Sequence, residues 1–274
     1  MELSVIITTY NSPEWLEKVL TGFDVQIFKD FEVIIADDGS GKATEDLIEK
    51  CRSLMSFPIK HVWHEDDGFR KCTILNKAIL KSSADYLVFT DGDCIPRKDF
   101  LQIHSLKKQK NCFLSGGYFM LPMDLSLLIK EEDIRTGRCF DLKWLKKNGL
   151  KQSFKNSKLI RNKFLTKTLN TITPTKPTWN GHNVSGWKQD IISVNGYNED
   201  MRYGALDREL GERLMNKGIK GKQIRYSAIC LHLDHKRSYK NQKDIDANKK
   251  IREEVKARKI TWTKNGISGH VEKY

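Results

Sequence analysis

The first half of the chain alternates short runs rich in β-branched and aromatic residues with segments of helical periodicity. The candidate strands are SVIITT (4–9), FEVIIA (31–36), IKHVW (59–63), YLVFT (86–90) and CFLSGGYF (112–119). The candidate helices between them are PEWLEKVLTGF (13–23), TEDLIEKCRSLM (44–55) and KCTILNKAILKS (71–82). Because strands that alternate with helices form right-handed βαβ units, the pattern predicts an α/β fold with a mostly parallel central sheet.

Acidic residues follow three of the first four strands. In such sheets a ligand binds at the carboxyl ends of the strands, where this chain places 8–11, 37–40, 64–68 and 91–93. No GxGxxG or Walker A loop follows the first strand, so a glycine-rich loop does not hold phosphates. Carboxylates gathered at one edge repel one another, and a divalent cation between them is the simplest remedy.

Asp91-Gly92-Asp93 ends the apolar run that begins at Tyr86. Two carboxylates around a glycine can turn together toward a hard cation, and the glycine lets a bulky ligand approach. The alternative is a β-turn in which Asp91 caps the next segment. The position after a buried strand, beside two other acidic strand ends, favours the cation site.

Composition limits the class of protein. The chain has 274 residues with no Pro/Gly/Ser-rich linker, which predicts one elaborated domain. Its apolar runs are too short to cross a bilayer, and its first residues lack the basic flank of a signal peptide. The six cysteines form no CxxC pair, which suits reduced thiols. We therefore expect a cytoplasmic protein.

The formal charge of +13 is unevenly placed, since no Asp or Glu occurs from Leu142 to Gln189. In the first part of that stretch, aromatic and aliphatic residues interleave with nine cations: Lys143, Lys146, Lys147, Lys151, Lys155, Lys158, Arg161, Lys163 and Lys167. Such a segment can meet nucleic acid, an anionic membrane or a phosphorylated substrate. A solvated basic face is an equally good interpretation. No nucleic-acid motif is present, so we expect no nucleic-acid partner.

Two segments of the second half carry further chemistry. In LDRELGERLMNK (206–217), leucines spaced by four form one helical face, and Asp207 points to the same side. A carboxylate there is kept ionised by the helix dipole and suits a general base, or it is an ordinary first-turn Asp. ICLHLDHKR (229–237) ends an apolar run with His232 and His235, which are either metal ligands or packed histidines.

These motifs together resemble the family 2 glycosyltransferases, which have the GT-A fold and use nucleotide-sugar donors. The resemblance rests on SVIITTYN (4–11), FEVIIADDGS (31–40), HEDDGFRKCTILNKAI (64–79) and YLVFTDGDCIPR (86–97). WNGHNVSGWKQDIISVNGYNED (179–200) and YGALDRELGERL (203–214) are similar to the acceptor region of the branch of β-1,4-galactosyltransferases and polypeptide N-acetylgalactosaminyltransferases. The resemblance covers residues 1–120 and 179–237.

The resemblance implies a donor site and a metal site. Seven residues match donor positions: Thr8, Tyr10 and Asp38 at the nucleoside, Arg70 and Asn76 near the diphosphate, and Asp91 and Asp93 at the metal and the ribose. The third metal ligand would be His232, with His235 as the alternative. Oxygen ligands suit Mn²⁺ or Mg²⁺, and an added histidine favours Mn²⁺.

The resemblance also implies the catalytic and acceptor residues. Asp207 matches the general base, with Glu209 in reserve, although Leu206 stands where the family has a glutamate. Acceptor contacts would come from Trp179, Asn180, Gly181 and Asn183, with the indole stacking on a sugar ring. A single base implies displacement with inversion at the anomeric carbon.

We expect one GT-A domain at 1–237, with a donor half at 1–120 and an acceptor half at 121–237 that includes a basic insertion at 142–178. A charged helical tail at 238–274 would close over the acceptor side or join a partner. The expected function is metal-dependent transfer from a UDP-sugar to a glycan or lipid-linked saccharide, for a surface polysaccharide or glycolipid, at an anionic membrane face. The alternatives are a sugar-1-phosphate nucleotidylyltransferase and a non-catalytic basic binding module.

Overall fold

The computed structural model describes residues 1–160, 162–236 and 240–273. Arg161 of the basic insertion lies outside the described residues, as do 237–239 and Tyr274. The strands are β1 Leu3–Thr9, β2 Phe31–Asp37, β3 Ile59–Trp63, β4 Tyr86–Asp91, β5 Cys94–Pro96, β6 Cys112–Ser115, β7 Gly117–Met120, β8 Val184–Trp187, β9 Lys220–Gln223 and β10 Ile229–His232.

The helices cover both faces of the sheet. They are α1 Pro13–Asp24, α2 Lys42–Leu54, α3 Lys71–Lys81, α4 Phe100–Lys107, α5 Met123–Leu128, α6 Glu131–Arg135, α7 Leu142–Lys147, α8 Lys163–Ile172, α9 Lys188–Ile192, α10 Leu206–Asn216 and α11 Gln242–Ala257. Short 3₁₀ turns occupy Arg138–Phe140, Phe154–Leu159 and Ile267–Lys273. Within the described ranges, no helix is both long enough and apolar enough to cross a membrane.

The described strands form a seven-stranded sheet in the order β3-β2-β1-β4-β8-β6-β9 and a three-stranded sheet in the order β5-β10-β7. Strands β1 to β4 pair in parallel, whereas β8 runs antiparallel to both of its neighbours. The predicted α/β fold with a mostly parallel sheet is therefore confirmed, and the first four strands match their predicted bounds to within one residue.

The strand order reverses between β1 and β4, because β2 lies on one side of β1 and β4 on the other. A crevice opens at such a switch point, outside the carboxyl ends of the two strands. The parallel register pairs Thr8 with Asp91 there. Alternate β1 residues enter different cores, with Val5 and Ile7 on one face and Ile6 on the other. Two buried faces thus hold this strand edge in place.

The predicted single strand at 112–119 is wrong, because the chain changes sheets in its middle. Strand β6 belongs to the large sheet and β7 to the small one. A Cβ on Gly116 would lie 2.0 Å from the Asn183 side chain, and one on Gly117 would lie 2.1 Å from the Arg225 carbonyl oxygen. The two glycines therefore permit a crossing that any side chain would block.

The C-terminal segment packs against the domain more closely than a charged tail suggests. Asn248 of α11 is buried, and its amide donates to the carbonyl oxygens of Arg202, Tyr203 and Gly204 at 2.8–3.2 Å. Ile267 is buried in the same core as the central strands. Helix α11 thereby fixes the loop that precedes α10.

Candidate active site

A cleft of about 600 Å³ opens at the strand switch point. Its walls come from the ends of β1 and β4, the start of α3, the loop before α10, and the end of β10. The polar lining residues that bear on chemistry are Thr8, Tyr10, Asp38, Lys71, Asp91, Asp93, Asp207, His232 and His235. The topology therefore brings together the acidic strand ends, the proposed base and both histidines of the sequence prediction.

Asp91 is held by two neighbours inside the cleft. Lys71 Nζ lies 2.6 Å from Asp91 Oδ1, and the Thr8 hydroxyl donates to the same oxygen at 2.7 Å. Although burial alone would raise the pKa of Asp91, the Lys71 ammonium holds it well below the usual range. Burial alone would lower the pKa of Lys71, but Asp91 and Asp207 raise it above its ordinary value. Both groups are therefore charged at neutral pH.

Gly92 lies between the two aspartates because the backbone of β1 approaches this position closely. Its backbone N–H donates to the Thr8 carbonyl oxygen at 2.7 Å. A Cβ on Gly92 would lie 2.8 Å from that oxygen. We expected this glycine to make room for a ligand. Instead it makes room for the backbone of β1, and its hydrogen bond links the turn Asp91-Gly92-Asp93 to the end of that strand.

Asp93 faces both histidines at the end of β10. His235 Nε2 lies 3.0 Å from Asp93 Oδ2, and His232 Nε2 lies 3.8 Å from Asp93 Oδ1. Each imidazole donates from Nδ1 to a backbone carbonyl oxygen at 2.9 Å, which leaves Nε2 as the atom directed at the carboxylate. Pinning one ring nitrogen in this way is how proteins orient metal-binding histidines.

A carboxylate and two imidazoles suit a divalent transition metal such as Mn²⁺. Asp93, Cys94 and His232 place their ligand atoms within 4.8 Å of one another. The Cys94 thiol is buried and donates to Asp93 Oδ1 at 3.3 Å, so it supports the carboxylate from behind. The side chains in the described part of the cleft thus fit the cation that the sequence predicts.

Asp207 lies in the first turn of α10 and lines the same cleft as the strand ends. Its Oδ1 is buried and has no hydrogen-bond partner among the described residues. Burial raises the pKa of Asp207, while the positive charge of Lys71 opposes that rise. A Cβ on Gly181 would lie 2.8 Å from Oδ1, so this glycine makes room for the carboxylate. A cleft carboxylate with one oxygen left without a hydrogen bond is able to accept a proton.

The backbone before α10 helps to aim Asp207. Ala205 immediately precedes the helix with a φ of 57°, in the left-handed region that residues with a Cβ rarely adopt. Gly204 has a φ of 115°. The α11 amide of Asn248 holds this loop from outside. Strain that neighbouring structure enforces in this way is typical of functional sites.

The expected nucleoside contacts lie at the other end of the cleft. Asp38 accepts from His64 Nε2 at 2.8 Å and from the Arg70 backbone N–H at 3.0 Å, which fixes both carboxylate oxygens. Tyr10 is half exposed, and its hydroxyl donates to Asp66 at 2.8 Å. Both residues line the cleft, as the resemblance implies.

Arg70 and Asn76 do not face the cleft. The Arg70 guanidinium turns to the loop before α3, where it binds the Glu65 carbonyl oxygen and lies 3.6 Å from Asp67. Asn76 is fully buried, and its amide donates to the Tyr197 carbonyl and to Glu199 at 2.9 and 2.8 Å. The expected diphosphate contacts from these two side chains are therefore wrong for this structure.

Glu209, the reserve base, is a structural residue. It is 1% exposed and forms a two-pronged ion pair with the fully buried Arg213, with both N–O distances at 2.7 Å. The guanidinium also donates to the carbonyl oxygens of Val194 and Gly196. A carboxylate committed to a buried arginine cannot take a proton from a substrate, which leaves Asp207 as the base candidate.

The acceptor prediction is wrong for two residues. Trp179 is fully buried, packs edge-on against Phe89 and Phe113, and donates from Nε1 to the Tyr197 hydroxyl at 3.0 Å. Asn183 is also fully buried, and its amide binds two backbone carbonyl oxygens and His104. Neither side chain can reach an acceptor.

The other two predicted acceptor residues also make contacts within the protein. Asn180 accepts from the Thr178 hydroxyl at 2.9 Å and does not line the cleft. Gly181 stays next to the site, because it packs against Asp207.

Two residues near the site escaped the sequence analysis. Lys71 follows Arg70 directly, and no feature of the sequence indicates that the side chain at the first position of α3 faces Asp91. His182 packs edge-on against Tyr118 at 4.5 Å, and burial lowers its pKa to about 4 although Asp91 raises it. Its place in WNGHN, before the base helix, was the available signal.

The fold is of the GT-A type, and comparisons with known proteins support a glycosyltransferase. Residues 4–114 match the family model described as "Glycosyl transferase family 2". Among curated relatives, the uncharacterized glycosyltransferase YfnE of Bacillus subtilis is 26% identical over 90% of this chain and 69% of its own length. These matches favour a family 2 glycosyltransferase over the two alternative functions.

Solved structures agree on the fold. The mannosyltransferase PcManGT from Pyrobaculum calidifontis, in complex with GDP-Man and Mn²⁺, has a TM-score of 0.58 at 18% identity. S. aureus TarS 1-349 in complex with UDP-GlcNAc has the same TM-score at 16% identity. Each alignment covers 87% of this chain, which spans 58% and 60% of those chains respectively. The predicted GT-A fold is thus confirmed, whereas the galactosyl- and N-acetylgalactosaminyltransferase branch stays a prediction.

Proposed function

We propose that the protein is a metal-dependent, inverting glycosyltransferase that moves a sugar from a UDP-sugar to the hydroxyl of a glycan or lipid-linked saccharide. The observation that carries the proposal is the single cleft that holds Asp207 together with Asp91 and Asp93, with Lys71 among the three carboxylates. A surface polysaccharide or glycolipid, made at an anionic membrane face, is the expected product.

Each group of cleft residues would have a separate role in the reaction. Tyr10 and Asp38 bind the nucleoside, and Asp91 with Thr8 positions the donor beside Lys71. Asp93, His232 and His235 would hold the divalent cation, which supplies positive charge to the departing diphosphate. Lys71 adds a fixed positive charge from the protein.

The acceptor hydroxyl oxygen bonds to the anomeric carbon as the bond from that carbon to the diphosphate breaks. Asp207 takes the hydroxyl proton, and the electron pair of the breaking bond leaves with the nucleoside diphosphate. The other cleft carboxylates already have partners: Asp38 binds His64, Asp91 binds Lys71, and Asp93 binds His235. Direct displacement with one base inverts the anomeric centre. Among the described carboxylates of the cleft, Asp207 has an oxygen, Oδ1, without a hydrogen-bond partner, and this supports its role as that base.

The test is a panel of nucleotide sugars with Mn²⁺, scored by release of nucleoside diphosphate in the presence of saccharide acceptors. We expect Asp93→Asn and Asp207→Asn each to lose at least about 100-fold in rate, because one holds the cation and the other takes the proton. Asp85→Asn, an exposed aspartate outside the cleft, is the matched control and should keep full activity.

Two outcomes would contradict the proposal. The first is that every donor is ignored, and the second is that both cleft variants keep full turnover. Pyrophosphate release from a nucleoside triphosphate and a sugar phosphate would instead support a nucleotidylyltransferase. Calorimetric titration with UDP separates loss of the base from loss of donor binding, since Asp207→Asn should bind UDP as well as the parent does.

A further inference from the structure

Helix α8 in the basic insertion exposes an apolar face. Phe164 is 81% exposed and Ile172 is 66% exposed, and Leu165 is also exposed. At 100° per residue these three side chains fall within one arc of 100°, while Thr166 and Leu169 face the protein. Asn170 anchors the inner side, because its amide group binds Ser227 and the Tyr226 backbone N–H. The apolar side of an anchored helix therefore points away from the protein.

A pocket of about 410 Å³ joins this face to the preceding 3₁₀ turn. Phe154, which is 84% exposed, and Ile172 both line it. The same pocket is lined by Lys155, Lys158 and Arg225. We call the exposed side chains of residues 151–160, 162 and 164–175 together with this pocket the insertion surface. Apolar and cationic groups are contiguous on it.

Lys155 and Lys158 have no acidic neighbour from their own segment, since residues 142–189 contain no Asp or Glu. Burial lowers the pKa of Lys158, and the charges of Arg225 and Lys155 lower it further. The Arg225 Nε atom is buried and has no hydrogen-bond partner among the described residues. Three cations around one pocket are destabilised unless an anion lies among them.

The insertion surface lies beside the active-site cleft. Lys158 Nζ donates to the Tyr118 carbonyl oxygen at 3.0 Å and lies 5.0 Å from the centre of the Tyr118 ring. That ring contacts His182 at 4.5 Å and His232 at 5.7 Å between ring centres. One side chain therefore separates the pocket cation from a histidine that we assign to the metal site.

We propose that the insertion surface docks the enzyme on an anionic phospholipid bilayer, with lipid phosphates among Lys155, Lys158 and Arg225 and with Phe154, Phe164 and Ile172 in the bilayer interface. Exposed aromatic and aliphatic side chains flanked by lysines match the boundary between headgroups and acyl chains. Docking deepens the proposed function and rests on it for its purpose, since it would bring the cleft to a lipid-linked acceptor.

Other occupants fit the insertion surface less well. A second copy would bring two basic surfaces together in a chain whose net charge is +13. Nucleic acid would satisfy the lysines and could stack on phenylalanine, but it offers nothing to Ile172 or Leu165, which share the same exposed arc.

The test is co-sedimentation of the full chain with vesicles of phosphatidylglycerol and, separately, of phosphatidylcholine. We expect binding to the anionic vesicles that weakens as salt is raised, and little binding to the neutral ones. The charge variant Lys151→Glu, Lys155→Glu, Lys167→Glu replaces three exposed lysines. It should bind at least about 100-fold more weakly, because each basic residue near such a surface contributes about fivefold and three are reversed in charge.

The matched control for charge is Lys110→Glu, Lys243→Glu, Lys250→Glu, which changes the net charge equally at exposed positions elsewhere. It should bind within about threefold of the parent.

A variant that lacks exposed apolar side chains tests the hydrophobic contribution to vesicle binding. Phe154→Ser with Phe164→Ser should weaken vesicle binding about tenfold or more, because two exposed rings no longer leave water. Leu106→Ser, at a residue that is 78% exposed outside the insertion, is the control and should change nothing. All four variants alter exposed side chains, so urea unfolding should match the parent.

Equal binding to both kinds of vesicle, or equal losses in variant and control, would overturn the docking proposal, as would tighter binding to duplex DNA than to anionic vesicles. These readouts do not depend on turnover. Release of nucleoside diphosphate with a water-soluble acceptor should be unchanged in the insertion variants. If that activity is missing while vesicle binding persists, the proposed function has failed and the docking surface stands.

Discussion

Asp207 and Glu209, two residues apart on α10, should respond to neutralisation with opposite effects on stability. Asp207 has a pKa raised by burial, which means that folding disfavours its ionised form. An acid whose folded pKa lies above its unfolded value lowers stability progressively as the pH rises from the unfolded to the folded pKa, and the full loss remains at higher pH. Asp207→Asn cannot ionise and removes this cost. Lys71 keeps Asp91 at 2.6 Å, so we expect a net gain in the free energy of unfolding at neutral pH.

Glu209→Gln should have the reverse effect. Glu209 and Arg213 are almost completely buried, and two hydrogen bonds of 2.7 Å join them. Removing one charge leaves the guanidinium buried without its counter-charge, which costs about 3–5 kcal/mol. The chemistry should be retained in the folded fraction, because Glu209 does not line the cleft.

The assay pairs urea unfolding, followed by circular dichroism, with turnover per folded molecule. The reasoning predicts that Asp207→Asn is stable and inactive, losing about 100-fold or more in rate, while Glu209→Gln is unstable and active. A loss of more than about 2 kcal/mol in Asp207→Asn would show that its carboxylate is structurally paired. A stable Glu209→Gln that loses turnover would return Glu209 to the role of base.

Lys71, Trp179 and His104 each give a separate expected outcome. Lys71→Met removes a charge that lowers the pKa of Asp207, so the acidic limb of the kcat/KM profile should move to higher pH, and Lys71→Arg should restore it. Trp179→Phe loses the bond to Tyr197 and some core volume; we expect about 1–3 kcal/mol less stability in urea with an unchanged acceptor KM. Burial lowers the pKa of His104 from 6.5 to about 4, so the unfolded chain binds a proton first as the pH falls. Between pH 6.5 and 4 this residue should remove up to about 3 kcal/mol of stability, and His104→Gln should flatten that part of the pH dependence.

The sequence predicts positions along strands better than it predicts the direction of individual side chains after them. Strand β4 could be assigned because its apolar run is continuous, and Asp91 and Asp93 follow it at the sheet edge. Arg70 and Lys71 are both cations at the start of α3, and only the helix geometry decides that Lys71 faces the cleft. Trp179 was misjudged because a motif beside the base helix does not reveal which of its side chains the core receives.

Repulsion among the strand-end carboxylates first suggested a metal, but the structure shows that protein groups already pair with some of them. Acidic strand ends in one cleft need positive charge or hydrogen-bond donors, and two of these carboxylates obtain them from the protein itself. Asp38 is bound by His64 at 2.8 Å, and Asp91 by Lys71 at 2.6 Å. Asp93 differs, because its partners are two imidazoles whose other ring nitrogens are fixed on backbone carbonyl oxygens. Those rings can ligate a cation only while neutral, whereas Lys71 is a permanent counter-ion. We therefore expect chelators to affect the surroundings of Asp93 and to leave the pair of Asp91 and Lys71 intact, so that the two aspartates of one motif serve a metal and an ammonium group respectively.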